Sequence, residues 1–250
     1  MSAAEMAGFF TLGVSADRYH LPHPRIGLPI VFVIRRVLLR AFEMLRERNF
    51  NLADAKEDEV TAALRSVVEN DLRKTGVVHG FDHRTYESVH RQGQVANYDG
   101  TSLGKSPDLC FKLRHDDFAS RSVISEFDAL FVECKPVDRS HGAGSKYCDE
   151  GVIRFVSGDY AWAMQEGMML AYVRHGRSIA HHLIPAMKEP ARTATLGTVQ
   201  HPEPCEAAGA PASGEAETVH ISEHRRGLEW PDEKGPACNI TIYHLWYCCD

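Results

Sequence analysis

In the stretch ISEFDALFVECKPVDRS, residues 124–140, the apolar run Ala129, Leu130, Phe131 and Val132 leads directly into Glu133 and Lys135. Successive side chains of a strand point to opposite faces, so these two charges share one face and Cys134 takes the other. A carboxylate and an ammonium among apolar neighbours are costly to bury unless they pair, bind a metal or meet water. Upstream, Asp108 follows Pro107 at the head of a second strand candidate, SPDLCFKL. If the two strands form a hairpin, Asp108 approaches Glu133, and carboxylates that close repel unless a divalent cation lies between them. Magnesium, or manganese in its place, suits one or two carboxylates completed by waters and phosphate oxygens. Lys135 would then stand beside the metal, placed to orient a water or to steady charge building on a phosphate.

Pro107-Asp108 and Glu133-Cys134-Lys135, on the two arms of a strand-turn-strand with a helical segment after them, resemble the split motif of the PD-(D/E)xK nuclease superfamily. The resemblance implies an α/β fold with a restriction-endonuclease-like three-layer core, a mixed central sheet flanked by helices. It implies catalytic roles for Asp108, Glu133 and Lys135, with metal held by Asp108, Glu133 and the backbone carbonyl of Cys134. It further implies an acidic residue on the helix before the sheet, best matched by Glu59 and next by Glu69, and a glutamine on the helix after the lysine strand, matched by Gln165. The implied activity is metal-dependent hydrolysis of phosphodiesters, DNA first among the substrates. A homodimer or a protein partner in a multi-component system goes with it, because members of the superfamily commonly dimerise. The segment YCDEGVIRFVSGDYAWAMQEGMMLAYV is similar to a narrower signature, of the kind expected in nucleases of bacterial defence or mobile elements. The likeness spans roughly residues 55 to 175.

The elements that must position these residues follow from periodicity. Val31, Ile34, Val37, Leu38, Ala41, Phe42 and Leu45 recur at helical spacing through residues 29–48, with Arg36, Arg40, Glu43 and Glu47 on the outer side. A second helix begins near Ala55 or Lys56, carries Val60, Ala63, Leu64, Val67 and Val68 as its stripe and closes at Gly76. Residues 95–135 read as strands, with the polar RHDDFASR as the hairpin turn. SGDYAWAMQEGMMLAYVRHG reads as a helix with Trp162, Met169, Tyr172 and Val173 on one face, and CNITIYHLWY as a strand returning to the main sheet. Residues 188–217, dense in Ala, Pro, Gly, Thr and Glu, read as a flexible insertion. The resulting organisation is an N-terminal helical extension over 1–54, the nuclease core over 55–187, the insertion over 188–217 and a C-terminal segment over 218–250.

Composition narrows the classes. A net charge of −6 argues against a general polyanion binder, so a nucleic-acid groove must be local, and Lys112, Arg139, Lys146 and Arg154 are its candidate phosphate contacts. Seven scattered cysteines without CxxC pairs support neither a disulfide framework nor a zinc site. The longest apolar stretch, LPIVFVIRRVLLRAF, is interrupted by three arginines, and MSAAEMAGFF lacks the basic and apolar regions of a secretory signal. A cytoplasmic protein without a membrane partner is expected.

An ExK triplet is weak alone, since roughly one arises by chance in a chain of this length. WPDEKG, with Pro231, Asp232 and Lys234, imitates the motif but lies among turn formers without an apolar strand, and reads as a solvated loop. The alternative to a nuclease is a catalytically silent nucleic-acid-binding or partner-docking module on the same fold. In it the site would be vestigial; a third reading, an interaction or regulatory component organised around the N-terminal helix, makes Glu133 and Lys135 a purely structural pair.

Overall fold

The computed structural model describes residues 21–23, 25–91, 95–101, 104–114, 129–205, 219–230 and 235–250. The stripe of the first helix, α1 (Leu28–Glu47), is buried at each of the seven positions that its spacing singles out. On its outer side Arg40 pairs with Glu43 at 2.9 Å and Glu47 at 2.8 Å. The second helix, α2, comprises Glu57–Val67, a π-helical continuation Val68–Leu72 and a last turn Arg73–Thr75. Gly76 ends it in the left-handed region at φ 63°, a conformation that favours glycine after a helix. No helix among the described residues is long and apolar enough to cross a membrane.

Seven strands form one mixed sheet: β1 (Tyr86–Arg91), β2 (Leu109–Leu113), β3 (Ala129–Val137), β4 (Glu166–Val173), β5 (Thr198–Pro204), β6 (His220–His224) and β7 (Ile240–Cys248), in the order β1-β2-β3-β4-β7-β6-β5. The pairs β3/β4 and β4/β7 are parallel and the remaining neighbours antiparallel. Helix α3, π-helical over Ala143–Val152 and continuing as Ile153–Val156, makes the crossover from β3 to β4. Two short helices, α4 (Ile179–Leu183 and Ile184–Met187) and α5 (Pro190–Thr195), lead to β5.

The expected hairpin is present as the antiparallel pair β2/β3, with Leu109 opposite Val132; its turn, and Asp128, lie outside the described residues, as do Pro231, Asp232 and Lys234 of the WPDEKG imitation. The terminal strand returns beside β4 as β7. The stretch expected as a helix over 157–176 instead runs through turns into the strand β4, which is buried at all eight positions. A strand covered on both faces is apolar without period, so its Met and Ala residues imitate a helix until the parallel pairing fixes them. The supposed insertion holds α5 and β5 through Pro204, and its remainder, 206–217, lies outside the described residues. Nor is α1 an appendage, because its stripe joins the same buried core as the strands.

Two helical layers enclose the sheet. On one face Phe42 of α1 stacks on Tyr247 of β7 at 3.9 Å and meets Tyr172 of β4 edge-on at 5.9 Å, while Thr61 of α2 bonds the Tyr172 hydroxyl at 2.8 Å. On the other face α3 lies close enough that a Cβ on Gly151 would sit 2.5 Å from Met169 Cε and 3.5 Å from Lys135 Cγ. Glycine thus leaves room for the Met169 methyl group beneath the helix, while the lysine stem lies at ordinary contact distance.

Under the same helix runs a buried chain of neutral polar groups. The Tyr147 hydroxyl lies 2.9 Å from His244 Nδ1, His244 Nε2 lies 2.7 Å from Ser222 Oγ, Ser222 Oγ lies 2.8 Å from His224 Nε2, and His224 Nδ1 lies 3.0 Å from the Leu196 carbonyl. A carbonyl only accepts, so His224 carries its proton on Nδ1 and Ser222 donates to its Nε2. His244 must then donate from Nε2 to Ser222 and accept from Tyr147, so every link has one direction. Burial, against the bond to Leu196, pushes His224 down to about 4 and holds His244 well below the ordinary imidazole range, which keeps both rings neutral.

Candidate active site

The site lies where β2 stops pairing with β3. Beyond Val132 the β3 edge has no β2 partner, and Pro107 has no N–H to extend the ladder. The Asp108 carboxylate closes this edge by accepting from the Cys134 backbone N–H at 2.7 Å. The alternation of β3 sends Glu133 and Lys135 together toward α3, and Cys134 to the other face, where burial raises its thiol well above the ordinary range. All seven cysteines are free thiols.

Lys135 Nζ lies 2.9 Å from Glu133 Oε1, 2.9 Å from Glu57 Oε1 and 3.8 Å from Asp108 Oδ2. Arg154, near the end of α3, approaches Glu133 Oε1 at 3.1 Å, and the Tyr160 hydroxyl donates to Glu133 Oε2. Glu133 is completely buried, yet Oε1 has two cations within ion-pair distance and no contact with hydrogen-bond geometry. In this group three carboxylates face two cations, which leaves it with surplus negative charge. The surplus shows in proton affinity: burial, then the nearby Glu133, pushes Asp108 up to about 6, against the pull of Lys135. Burial also raises Glu57, with Lys135 opposing. For Lys135, burial favours the neutral amine, but Glu133, Asp108 and Glu57 together outweigh it and raise the group, so the ammonium stays charged.

Asp108, Glu133 and Lys135 are therefore brought together as their spacing predicts. Glu59 is not. It is exposed, and its carboxylate accepts from the Lys56 backbone N–H at 2.9 Å, closing the first turn of α2. Glu57, two residues earlier and about 200° around the helix, is the acidic residue that arrives. The signal was available: Glu57 extends the buried stripe of Val60, Thr61 and Leu64 backward by three, four and seven positions, and Glu59 does not. Glu69, the other candidate, bonds Arg73 at 3.0 Å and the Val89 backbone N–H at 2.5 Å, fastening α2 to β1.

Gln165 also departs from expectation. It stands immediately before β4 rather than on a helix, and its amide donates to the His23 carbonyl at 2.8 Å. The helix that does follow the lysine strand is α3, which contributes Arg154. Of the four candidate phosphate contacts, Arg154 reaches the cluster. Lys146 is held by Glu150 at 2.6 Å, Arg139 is exposed just beyond β3, and Lys112 is half-buried in β2 opposite Ala129. Tyr160, in the turn before β4, lies in the segment singled out as a narrower signature, but nothing in its spacing assigned it a role.

The donor set suits a hard divalent cation. Asp108 and Glu133 offer carboxylate oxygens of the kind such an ion takes, and one buried Glu133 oxygen has no hydrogen bond. Among the described residues no group of three or more His, Cys, Asp or Glu side chains is arranged to hold a metal ion. Magnesium is usually held by one or two carboxylates completed by waters and phosphate oxygens, a smaller demand on the protein than an all-protein cage makes. No protein-family model, curated protein or solved structure matches the chain.

Proposed function

We propose that the chain is a metal-dependent phosphodiesterase of the PD-(D/E)xK kind that cuts nucleic acid, with DNA as its substrate. The observation that carries the reading is the convergence of Asp108 and Glu133 with the ammonium of Lys135 at the end of the β2/β3 pairing. Asp108 and Glu133 would hold the cation, aided by the Cys134 carbonyl. When bound, a divalent cation supplies polarisation of the scissile phosphate and a more acidic water. Glu133 is kept in one orientation by Tyr160, and Asp108 by the Cys134 N–H, so neither ligand needs reorientation on binding. The Lys135 ammonium, held by Glu57, would stand beside the bound cation and steady charge building on the phosphate.

The saturation of Lys135 favours a second reading, in which the cluster is a structural ion group in a silent binding or docking module. Cleavage of single- and double-stranded DNA and RNA with magnesium, manganese or EDTA separates the two, using wild type, Glu133→Ala and Lys135→Ala. Metal-dependent cutting by wild type, reduced on the order of a thousandfold in both variants, is the expected result. Wild type that cuts none of the four polymers, with variants that differ from it only in stability, would leave the docking module standing.

A further inference from the structure

The two oxygens of Glu133 are treated differently by their surroundings. Oε2 receives the Tyr160 hydroxyl, whereas Oε1 faces Lys135 at 2.9 Å and Arg154 at 3.1 Å without hydrogen-bond geometry to either. The two cations also differ. Lys135 is buried and tied to Glu57, but the Arg154 side chain is 40% exposed while the carboxylate it faces is wholly buried. A guanidinium on a long stem at the solvent boundary can leave such a contact for a second anion, and its planar fork matches a phosphate better than an off-line carboxylate oxygen.

We infer that Arg154 is a phosphate-binding residue held on Glu133 Oε1 until a divalent cation takes its place, so that cation binding releases the guanidinium to the substrate phosphate. The inference rests on the proposed cation-holding role of Asp108 and Glu133, and it adds a coupling that this role does not require. Cation and Arg154 compete for one oxygen atom, so each opposes the other there; cation and phosphate, by contrast, favour each other through Arg154. Linkage makes that second effect reciprocal: what the cation adds to phosphate affinity, phosphate adds to cation affinity. Tyr160 keeps Oε2 engaged throughout, so the exchange takes place at Oε1 alone.

The test needs no turnover. Manganese binding to the full-length wild type, Arg154→Ala, Arg154→Lys and Glu133→Gln proteins is followed by loss of the free-ion paramagnetic resonance signal. Binding of a labelled mixed-sequence oligodeoxynucleotide is followed by fluorescence anisotropy in EDTA and in calcium. Arg154→Ala should bind manganese about tenfold more tightly than wild type, while losing the calcium-dependent gain in oligonucleotide affinity. Arg154→Lys, which keeps the charge but not the fork, should stay near wild type for manganese and lose most of that gain. Equal or weaker manganese binding by Arg154→Ala, or an undiminished calcium-dependent gain, overturns the exchange while leaving the cation site intact. Manganese binding in wild type that survives Glu133→Gln unchanged, or no binding in any of the four proteins, overturns the exchange and the cation site together.

Discussion

On the face of the sheet beneath α3, the Tyr147–His244–Ser222–His224 chain is neutral, with each donor matched to one acceptor. The Asp108–Glu133–Lys135 group, at the head of β2 and on β3, instead carries more negative charge than its cations balance. The apolar strand β4 separates them, and one helix serves both: Tyr147 starts the neutral chain and Arg154, seven residues on, reaches the charged group. Glu133, at the centre of the charged group, is buried as deeply as the neutral chain although Glu57 and Arg154 reach solvent, so the depth of the central residue does not distinguish a structural polar network from a candidate site. The distinction lies in the remainder. Saturated neutral chains rigidify a core, whereas an unbalanced buried charge retains free energy that a ligand can recover.

Removing Lys135 should break the comparison most severely. Lys135→Met leaves three carboxylates with Arg154 alone, a loss of about 3–5 kcal/mol in urea unfolding, and millimolar magnesium should restore part of it. No recovery with magnesium would place the charged group in the same class as the neutral chain. His244→Leu should cost about 2–3 kcal/mol, because Tyr147 and Ser222 each lose a partner inside the core. Here magnesium should change nothing.

Asp108→Asn is expected to act with the opposite sign. A carboxyl whose folded pKa is raised to about 6 favours folding while protonated, below the unfolded value of about 3.9, and that support disappears as pH rises through about 6. The neutral amide avoids the loss, so at pH 7 the cation-free variant should be about 1–2 kcal/mol more stable than wild type, with the gap closing toward pH 4. Thermal unfolding across that range reads the difference, and a gap that widened in acid would contradict the charge imbalance. The smallest effect belongs to Gly151→Ala, whose added methyl meets the flexible end of Met169. A loss below about 1 kcal/mol is expected, together with a weakened response to magnesium as α3 shifts over Lys135.

Much of this was legible before any fold was known, but unevenly. The α1 and α2 stripes, the Gly76 stop and the β2/β3 hairpin rest on local period and turn chemistry, and they appear where the sequence puts them. Strand β4 was mistaken for a helix because full burial erases the alternation that marks a strand. The edge strand β5 was concealed in a Pro- and Thr-rich composition that also describes a loop. In the site, Glu133 and Lys135 were fixed by strand parity and Asp108 by the hairpin, while the choice between Glu57 and Glu59 turned on which side of α2 is buried.

The sequence by itself determined which charged residues share a strand face, because a period of two permits no other arrangement. It likewise determined that an apolar run would carry them inward. Only the tertiary structure decided how the surrounding charge adds up. Glu57, Arg154 and Tyr160 come from three separate segments, and their meeting on Glu133 and Lys135 depends on the parallel crossover through α3 and on the packing of α2. Electrostatic interaction depends on distance through space and on burial, and neither can be read from separation along the chain.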